Sequence, residues 1–195
     1  MMGALNYVEY TEKTIDSYGS DKKILVVGPG YNIKRNNVVI NENNVDLVEW
    51  IEKYRNSENF ALFDVVLLFR VLEHLEVRKI DWYIFNLYTI MKKKAIMHCI
   101  VPNMWHVCEE LHKEFKKLAN KEAIDDFKTR RLTYELFSEG KDTFWRHSLW
   151  TDEYSVQYYL EQEKLFHVLS VTLCKELIIN SSIVPYELEI ICERL

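Results

Sequence analysis

Residues 22–32 of the chain read KKILVVGPGYN, and this segment decides the fold. The apolar, largely β-branched run at 24–27 predicts a central parallel strand that is covered on both faces. Gly28, Pro29 and Gly30 follow it directly, and glycines allow both a sharp turn and a close approach of the backbone to a ligand. We therefore expect a nucleotide-like ligand at the carboxyl end of this strand, although an ordinary strand-to-loop turn produces the same short pattern.

Length and charge limit the class of protein. The chain has 195 residues, which fits a single domain over residues 1–195 with one sizeable core. Its 48% hydrophobic and 28% charged residues are typical of a globular domain. A net charge of −5 and a pI of about 5.7 argue against a broad polyanion-binding surface. A nucleic-acid partner is therefore not expected.

Cysteine spacing and hydropathy predict the compartment. Cys99, Cys108, Cys174 and Cys192 are far apart and form no CxxC pair, so we expect buried thiols in a reducing compartment rather than a metal site or a disulfide frame. The amino terminus lacks a signal-peptide pattern, and no apolar run approaches the roughly 20 residues that a membrane span requires. The sequence thus predicts a cytoplasmic protein without a metal ion or a membrane partner.

Strand and helix patterns alternate along the chain. Beyond the first strand, the predicted strands are 38–40, 64–69 and 95–101, and the predicted helices are 4–18, 80–91, 152–162 and one that begins at Asp46. We expect the first helix to pack at the edge of the sheet, and Lys92, Lys93 and Lys94 to complement the dipole at the end of the 80–91 helix. Residues 165–174 and 186–192 predict a closing hairpin with an antiparallel last strand. The fold class is therefore α/β, a doubly wound, mostly parallel, Rossmann-like sheet.

A charged helical segment separates the parallel strands from the closing hairpin. Residues 103–145 leave the sheet at the carboxyl end of a strand, where ligand sites form in such folds, so we interpret them as a lid over the site. Acidic and basic residues alternate within it, which predicts a solvated, salt-bridged surface rather than a binding patch. Thr151 or Asp152 is expected to cap the helix that follows.

Three segments carry a resemblance to a known family. ILVVGPG at 24–30, DVVLLFRVLEHL at 64–75 and HSLWTDEYSVQYYLEQ at 147–162 are similar to the glycine motif, the segment around the fourth family strand and the late Trp-Thr segment of class I S-adenosylmethionine-dependent methyltransferases. The resemblance extends over nearly the whole chain and is strongest to the branch called methyltransferase type 11. Two departures are visible: Val26 and Val27 replace the usual acidic residue before the glycines, and the stretch from Gly30 to Asp64 is short for the elements it normally holds.

The resemblance implies S-adenosyl-L-methionine as the cofactor and assigns residues to its parts. Glu42 would accept hydrogen bonds from the ribose hydroxyls, with Asp46 in an alternative register for the position near the adenine. The residues implied near the rest of the cofactor are Gly28, Pro29, Gly30, Tyr31, Phe69, Arg70 and Val71. The implied activity is transfer of a methyl group to an oxygen or nitrogen of a small molecule or glycan.

Methyl transfer requires alignment, exclusion of water and, for a hydroxyl or amine acceptor, removal of a proton. A histidine suits that task because its unperturbed pKa of about 6.5 lies near neutral pH. His147 and His106 are the candidate bases, since both are expected near the carboxyl edge of the sheet. One alternative is a catalytically degenerate methyltransferase fold that serves in binding or assembly. Another, a nicotinamide-dependent oxidoreductase, is disfavoured because Ile33 replaces the third glycine of that fingerprint.

Overall fold

The computed structural model describes residues 6–28, 31–41, 61–75, 79–123, 125, 129, 151–162, 164–174 and 187–195. Its helices are α1 (Tyr7–Tyr18), α2 (Ile80–Ile90), α3 (Met104–Ala119) and α4 (Glu153–Glu161), with a 3-10 helix at Leu72–His74. Its strands are β1 (Ile24–Val27), β2 (Val38–Asn41), β3 (Phe63–Phe69), β4 (Met91–Pro102), β5 (Phe166–Leu173) and β6 (Glu187–Arg194). The helix predicted from Asp46 lies outside the described residues.

The described strands form one six-stranded sheet in the order β2-β1-β3-β4-β6-β5. The first four of these are mutually parallel, and β6 is antiparallel to both β4 and β5. No helix occupies residues 31–37 between β1 and β2. The predicted α/β fold with a mostly parallel sheet and an antiparallel last strand is confirmed.

Helices cover the two faces of the sheet and create two parts of the core. Leu25 and Leu68 belong to the face that packs against α2 and α4. Ile24 and Leu67 point the other way and pack against Tyr10 and other residues of α1. Because successive residues of a strand face opposite sides, an apolar run buried along its whole length requires cover on both faces. The prediction that the first helix packs at the sheet edge is wrong: α1 lies over the central strands.

Side-chain caps fix where two helices begin. Asn6 at the start of α1 and Asp152 at the start of α4 each form a capping box, in which the cap side chain accepts a bond from a backbone N–H of the first turn. Asp152, rather than Thr151, is thus the N-cap. The Thr151 hydroxyl instead donates a 2.6 Å bond to the Pro102 carbonyl. This buried bond ties the start of α4 to the carboxyl end of β4.

The lysine run at 92–94 belongs to a strand, so its assignment to a helix end is wrong. Helix α2 ends at Ile90, and β4 begins at Met91 without a loop. Met91 pairs with Phe63 of β3, so ladder bonds to the neighbouring strand extend β4 back to the helix. Lys92 Nζ lies 2.8 Å from Asp64 Oδ1, at the amino edge of the sheet.

Helix α3 is the described part of the predicted insertion at 103–145. Its buried side includes Met104, Val107 and Leu111, as the apolar stripe predicts, whereas Phe115 is 51% exposed. The solvated interpretation of its charges is wrong for Glu114, which is buried. Its Oε1 atom lies 2.9 Å from Lys117 Nζ one turn later. Such i,i+3 neighbours let a lysine cover a buried carboxylate. The lid role stays a prediction.

The expectations about the cysteines and about membrane spans can be compared with the described residues. All four cysteines are free thiols, three of them buried and Cys108 partly exposed. Among the described helices, none combines the length and the hydropathy needed to cross a membrane.

Candidate functional site

The carboxyl ends of three parallel strands meet at one edge of the sheet. Val27 at the end of β1 is in register with Asn41 of β2 and with Leu68 of β3. Gly28 and Phe69 therefore follow side by side on neighbouring strands. In open α/β sheets this edge is where ligands bind.

Gly28 turns the chain away from the end of β1 with a positive φ of 70°. That conformation is unfavourable for residues with a Cβ atom and costs glycine little. The glycine at this position is thus explained by the backbone that the turn requires. Pro29 and Gly30 lie outside the described residues, as does Glu42, which directly follows the last residue of β2.

Tyr31 lies after the turn, and its side chain is directed at α1. Its hydroxyl lies 3.4 Å from the Val8 carbonyl oxygen and 3.5 Å from Glu12 Oε1. Burial raises the pKa of the phenol. The ring therefore joins the segment after the glycine turn to the helix that covers the sheet.

Phe69 offers only its backbone to the edge, because its fully buried ring belongs to the core under α1. Its carbonyl oxygen accepts a 2.7 Å hydrogen bond from the Tyr7 hydroxyl. Burial, and next the Glu73 carboxylate, raise the pKa of Tyr7 well above its ordinary value, so the phenol keeps its proton and acts as a donor. Tyr7 is a residue that sequence reasoning missed.

Arg70 lies between two buried carboxylates at the same edge. Its guanidinium forms an ion pair with Glu187 at the start of β6, and its Nη1 atom lies 3.7 Å from Glu73 Oε1. Glu73 is 0% exposed and Glu187 is 2% exposed. Arg70 itself has a positive φ of 58°. His74 Nε2 lies 4.0 Å from the same oxygen of Glu73.

Of the remaining predicted residues, Val71 and His106 are described. Val71 is half-buried and packs against the core on the α2 side. His106 is in the first turn of α3, just beyond the end of β4, where the sequence places it. Its Nδ1 atom is 3.9 Å from Glu109 Oε2, and its buried Nε2 atom has no hydrogen-bond partner within the described part of the chain. His147 lies outside the described residues.

Glu73 belongs to the segment at 64–75 that carries the family resemblance, whereas sequence reasoning did not single out Glu187. The only local signal for Glu187 is the alternation of acidic and apolar residues in β6, where Glu187 and Glu189 share one face. The pairing of Arg70 with Glu187 joins residues 117 positions apart. No spacing rule reveals such a contact before the strand order is known. In the described parts of the chain, no group of three or more His, Cys, Asp or Glu residues could hold a metal ion.

Neither models of known protein families nor curated protein sequences gave a match to the chain. Solved structures gave matches. A SAM-dependent methyltransferase from Methanosarcina mazei is 14% identical, with a TM-score of 0.53 over 93% of this chain and 97% of that one. A SAM-dependent methyltransferase from Archaeoglobus fulgidus is 13% identical, with a TM-score of 0.51 over 96% and 94%. The N-methyltransferase NodS from Bradyrhizobium japonicum is 9% identical, with a TM-score of 0.50 over 95% and 93%.

The chain has the class I methyltransferase fold. At these identities the likeness is one of architecture, and the resemblance to the type 11 branch stays a prediction. The coverage of both chains shows that the likeness extends over nearly the whole protein, as expected from the sequence.

The residues present at the carboxyl edge fit S-adenosylmethionine, the cofactor that this fold implies. The cofactor carries a sulfonium and an ammonium, and a cation is attracted to a site with excess buried carboxylate. Glu73 and Glu187 place two buried carboxylates at this edge, beside Arg70. Gly28 has no side chain to screen the backbone where the strand ends.

Proposed function

We propose that the protein is an S-adenosylmethionine-dependent methyltransferase that modifies an oxygen or nitrogen of a small molecule or glycan. The observation that supports this most is the arrangement of Gly28 beside Phe69 at the carboxyl edge of a class I methyltransferase fold. Bound there, the cofactor supplies an electrophilic methyl group. The tasks of the chain are to hold the reactants in line, exclude water and accept a proton.

Each predicted residue has a task in this proposal. Gly28, with Pro29 and Gly30, allows close approach of the backbone to the amino-acid part of the cofactor. Glu42, next to the last residue of β2, accepts hydrogen bonds from ribose hydroxyls. Arg70 holds Glu73 in place, so that negative charge persists near the cationic groups.

Proton removal is assigned to a histidine near the same edge. His106 is the first candidate because it lies in the first turn of α3, just beyond the end of β4. His147 precedes α4 in sequence and is the second candidate. The imidazole would take the proton that an acceptor hydroxyl or amine loses on methylation.

A degenerate binding or assembly protein is the second candidate function, and one observation favours it. The Tyr7 hydroxyl already bonds the Phe69 carbonyl oxygen, so the chain itself satisfies an acceptor at the edge where the cofactor is expected. A fold that has lost its cofactor is expected to fill such positions with its own groups. The same bond is equally compatible with a rigid cofactor site.

Calorimetry separates the two functions. Titration with S-adenosylmethionine and with S-adenosylhomocysteine should give saturable heat with both ligands if the site is a cofactor site. A transfer assay over hydroxyl-bearing and amine-bearing small molecules and oligosaccharides should then yield S-adenosylhomocysteine and an acceptor heavier by one methylene. If neither ligand gives heat, the enzyme proposal is overturned, and the degenerate binding or assembly protein remains.

A further inference from the structure

A cleft lies on the sheet face between α1 and strands β4, β5 and β6. Its volume is about 780 Å³, within the roughly 300–1,000 Å³ that is usual for small-molecule sites. Among the described residues, its lining consists of Tyr10, Lys13, Thr14, Ser17, Tyr18, His98, Thr172, Leu173, Cys174, Glu189 and Ile191. The lining is thus amphipathic, as in most small-molecule sites.

The cleft is separate from the candidate cofactor site. His98 on its floor is in register with Leu67 of β3, which is in register with Val26 of β1. It therefore lies at the middle of the strands, whereas Gly28 and Arg70 lie beyond their carboxyl ends. Tyr18 is the last residue of α1 and Tyr7 the first, so the helix spans from one region to the other.

A chain of hydrogen bonds forms the floor of the cleft. His98 Nε2 lies 3.0 Å from Glu189 Oε1, and His98 Nδ1 lies 3.0 Å from the Tyr18 hydroxyl. An ionised carboxylate only accepts, so His98 Nε2 donates to Glu189. The Tyr10 hydroxyl donates a 2.5 Å bond to the same Glu189 oxygen. The Tyr10 phenol proton is therefore committed to the floor.

Two other hydroxyls of the lining are committed in a similar way. Thr14 donates to the Tyr10 carbonyl at 2.8 Å, and Ser17 donates to the Thr14 carbonyl at 2.7 Å. The oxygens of Thr14 and Ser17 can therefore offer only lone pairs to a ligand. Lys13 at the rim is exposed.

The charge of Glu189 favours a cationic ligand. The hydrogen bond from His98, together with those from Tyr10 and Thr172, lowers the pKa of Glu189, so its carboxylate is ionised at neutral pH. A carboxylate has about four acceptor positions, and the donors of His98 and Tyr10 both reach one oxygen, Oε1. Tyr10 and Tyr18 place aromatic rings beside it, and such rings attract cations.

We propose that this cleft binds a small arylalkyl amine in its protonated form. The ammonium lies against the Glu189 carboxylate, on the side of the cleft that Tyr10 and Tyr18 also line. The aromatic body packs against Leu173 and Ile191. This site is additional to the proposed methyltransferase function and does not depend on it.

Matched ligands test the proposal on the full-length protein. Tyramine, 2-(4-hydroxyphenyl)ethanol and 3-(4-hydroxyphenyl)propionate share one ring and differ in a cationic, neutral or anionic end. Calorimetry should show tyramine binding at least about tenfold more tightly than either analogue, as expected for loss of a hydrogen bond to a charged group. Equal affinities for the three, or no tyramine binding, would overturn the proposal. So would loss of tyramine binding in saturating S-adenosylhomocysteine, because the amine would then occupy the cofactor site.

Two variants locate the amine. Glu189→Gln keeps an acceptor for Tyr10 and His98 but removes the charge, and it should weaken tyramine binding at least about tenfold; Glu153→Gln on the exposed side of α4 should not. Ser17→Trp fills the cleft from an exposed position and should abolish binding, whereas Ser20→Trp, outside the lining, should not. Ser17→Trp decides the matter even where Glu189→Gln fails to fold. Tyramine binding unchanged in Ser17→Trp would refute the site.

Discussion

The hydroxyl of Tyr7 donates a 2.7 Å hydrogen bond to the carbonyl oxygen of Phe69, which joins the start of α1 to the carboxyl end of β3. Phe69 is followed by Arg70, whose backbone N–H in turn bonds the Ile100 carbonyl of β4 at 2.8 Å. The point where β3 ends is thus held by a helix on one side and a strand on the other. A site at this edge is supported by fixed backbone rather than by side chains alone.

Replacing Tyr7 with phenylalanine should remove this tie. We expect the free energy of unfolding to fall by about 1 kcal/mol, because a partly buried carbonyl loses its donor. Denaturant unfolding followed by circular dichroism measures the change. Tyr154→Phe is the control, since Tyr154 is 77% exposed and should change stability little. Equal effects of the two substitutions would show that the bond does not stabilise the fold.

Alanine at Gly28 should affect both stability and cofactor affinity. The positive φ of 70° should cost about 1–2 kcal/mol for a residue with a Cβ atom, and the added methyl would stand where backbone approaches the cofactor. Calorimetry with S-adenosylhomocysteine measures the second effect. Gly19→Ala is the control: its φ is 86° and a Cβ there would meet Asp21 Oδ1 at 2.9 Å, at the other end of α1. It should lower stability without lowering affinity.

Methionine at Arg70 should be strongly destabilising. The change leaves Glu73 and Glu187 as neighbouring buried charges, and loss of one partner of a buried ion pair costs about 3–5 kcal/mol. Adding Glu187→Gln should recover part of this loss, since the remaining repulsion then disappears. Denaturant unfolding of both variants measures the recovery. A double variant no more stable than the single one would contradict the ion-pair cluster.

Arg35→Met is the matched control for that experiment. Arg35 also bridges two carboxylates, those of Glu12 and Asp16, but all three side chains are substantially exposed. Surface ion pairs contribute about 0–1 kcal/mol. The difference between Arg70→Met and Arg35→Met therefore reports what burial adds to the same arrangement of charges.

The fold could be predicted from sequence where burial left a local pattern. The continuous apolar run at 24–27 shows a strand covered on both faces, and the observed β1 has these bounds. The prediction that Lys92, Lys93 and Lys94 end a helix is wrong because it used only the local pattern of charge. The structure places these residues in β4, which pairs with β3 at Met91 and, after a register shift, from Ile96 onward, and this pairing is not local.

The candidate site was predictable in backbone and not in side chains. Gly28 could be found because a strand-ending turn requires a backbone that glycine adopts. Arg70 was found by resemblance, yet its partner Glu187 could not be, since nothing local shows that β6 inserts beside β4. His98 and Glu189 escaped for the same reason: only the antiparallel pairing of β4 with β6 brings them together.

Acid stability should depend on Glu189. Its hydrogen bond from His98 lowers its pKa in the folded protein below the ordinary glutamate value of 4.5. A lowered folded-state pKa contributes stability above the unfolded-state value, and this contribution disappears as the pH falls through the folded-state value. Glu189→Gln should therefore lose less stability than the wild type between pH 5 and the acid-unfolding midpoint. The difference between the two slopes of unfolding free energy against pH should correspond to about one titrating group. Urea unfolding at a series of pH values measures this slope, and Glu153→Gln should keep the wild-type slope.

Asparagine at His106 should remove the proposed base while leaving the fold intact. His106 lies in the first turn of α3, beside the end of β4, and its side chain is only partly buried, so its replacement should cost little stability. Loss of a general base lowers kcat by about 10²–10⁴-fold, with a smaller effect on cofactor affinity. His112→Asn is the control, since His112 is exposed on the same helix. We expect kcat with the acceptor found by the transfer assay to fall in His106→Asn and to stay unchanged in His112→Asn. Equal kcat values in the two variants would move the role of base to His147, for which His147→Asn is the corresponding test.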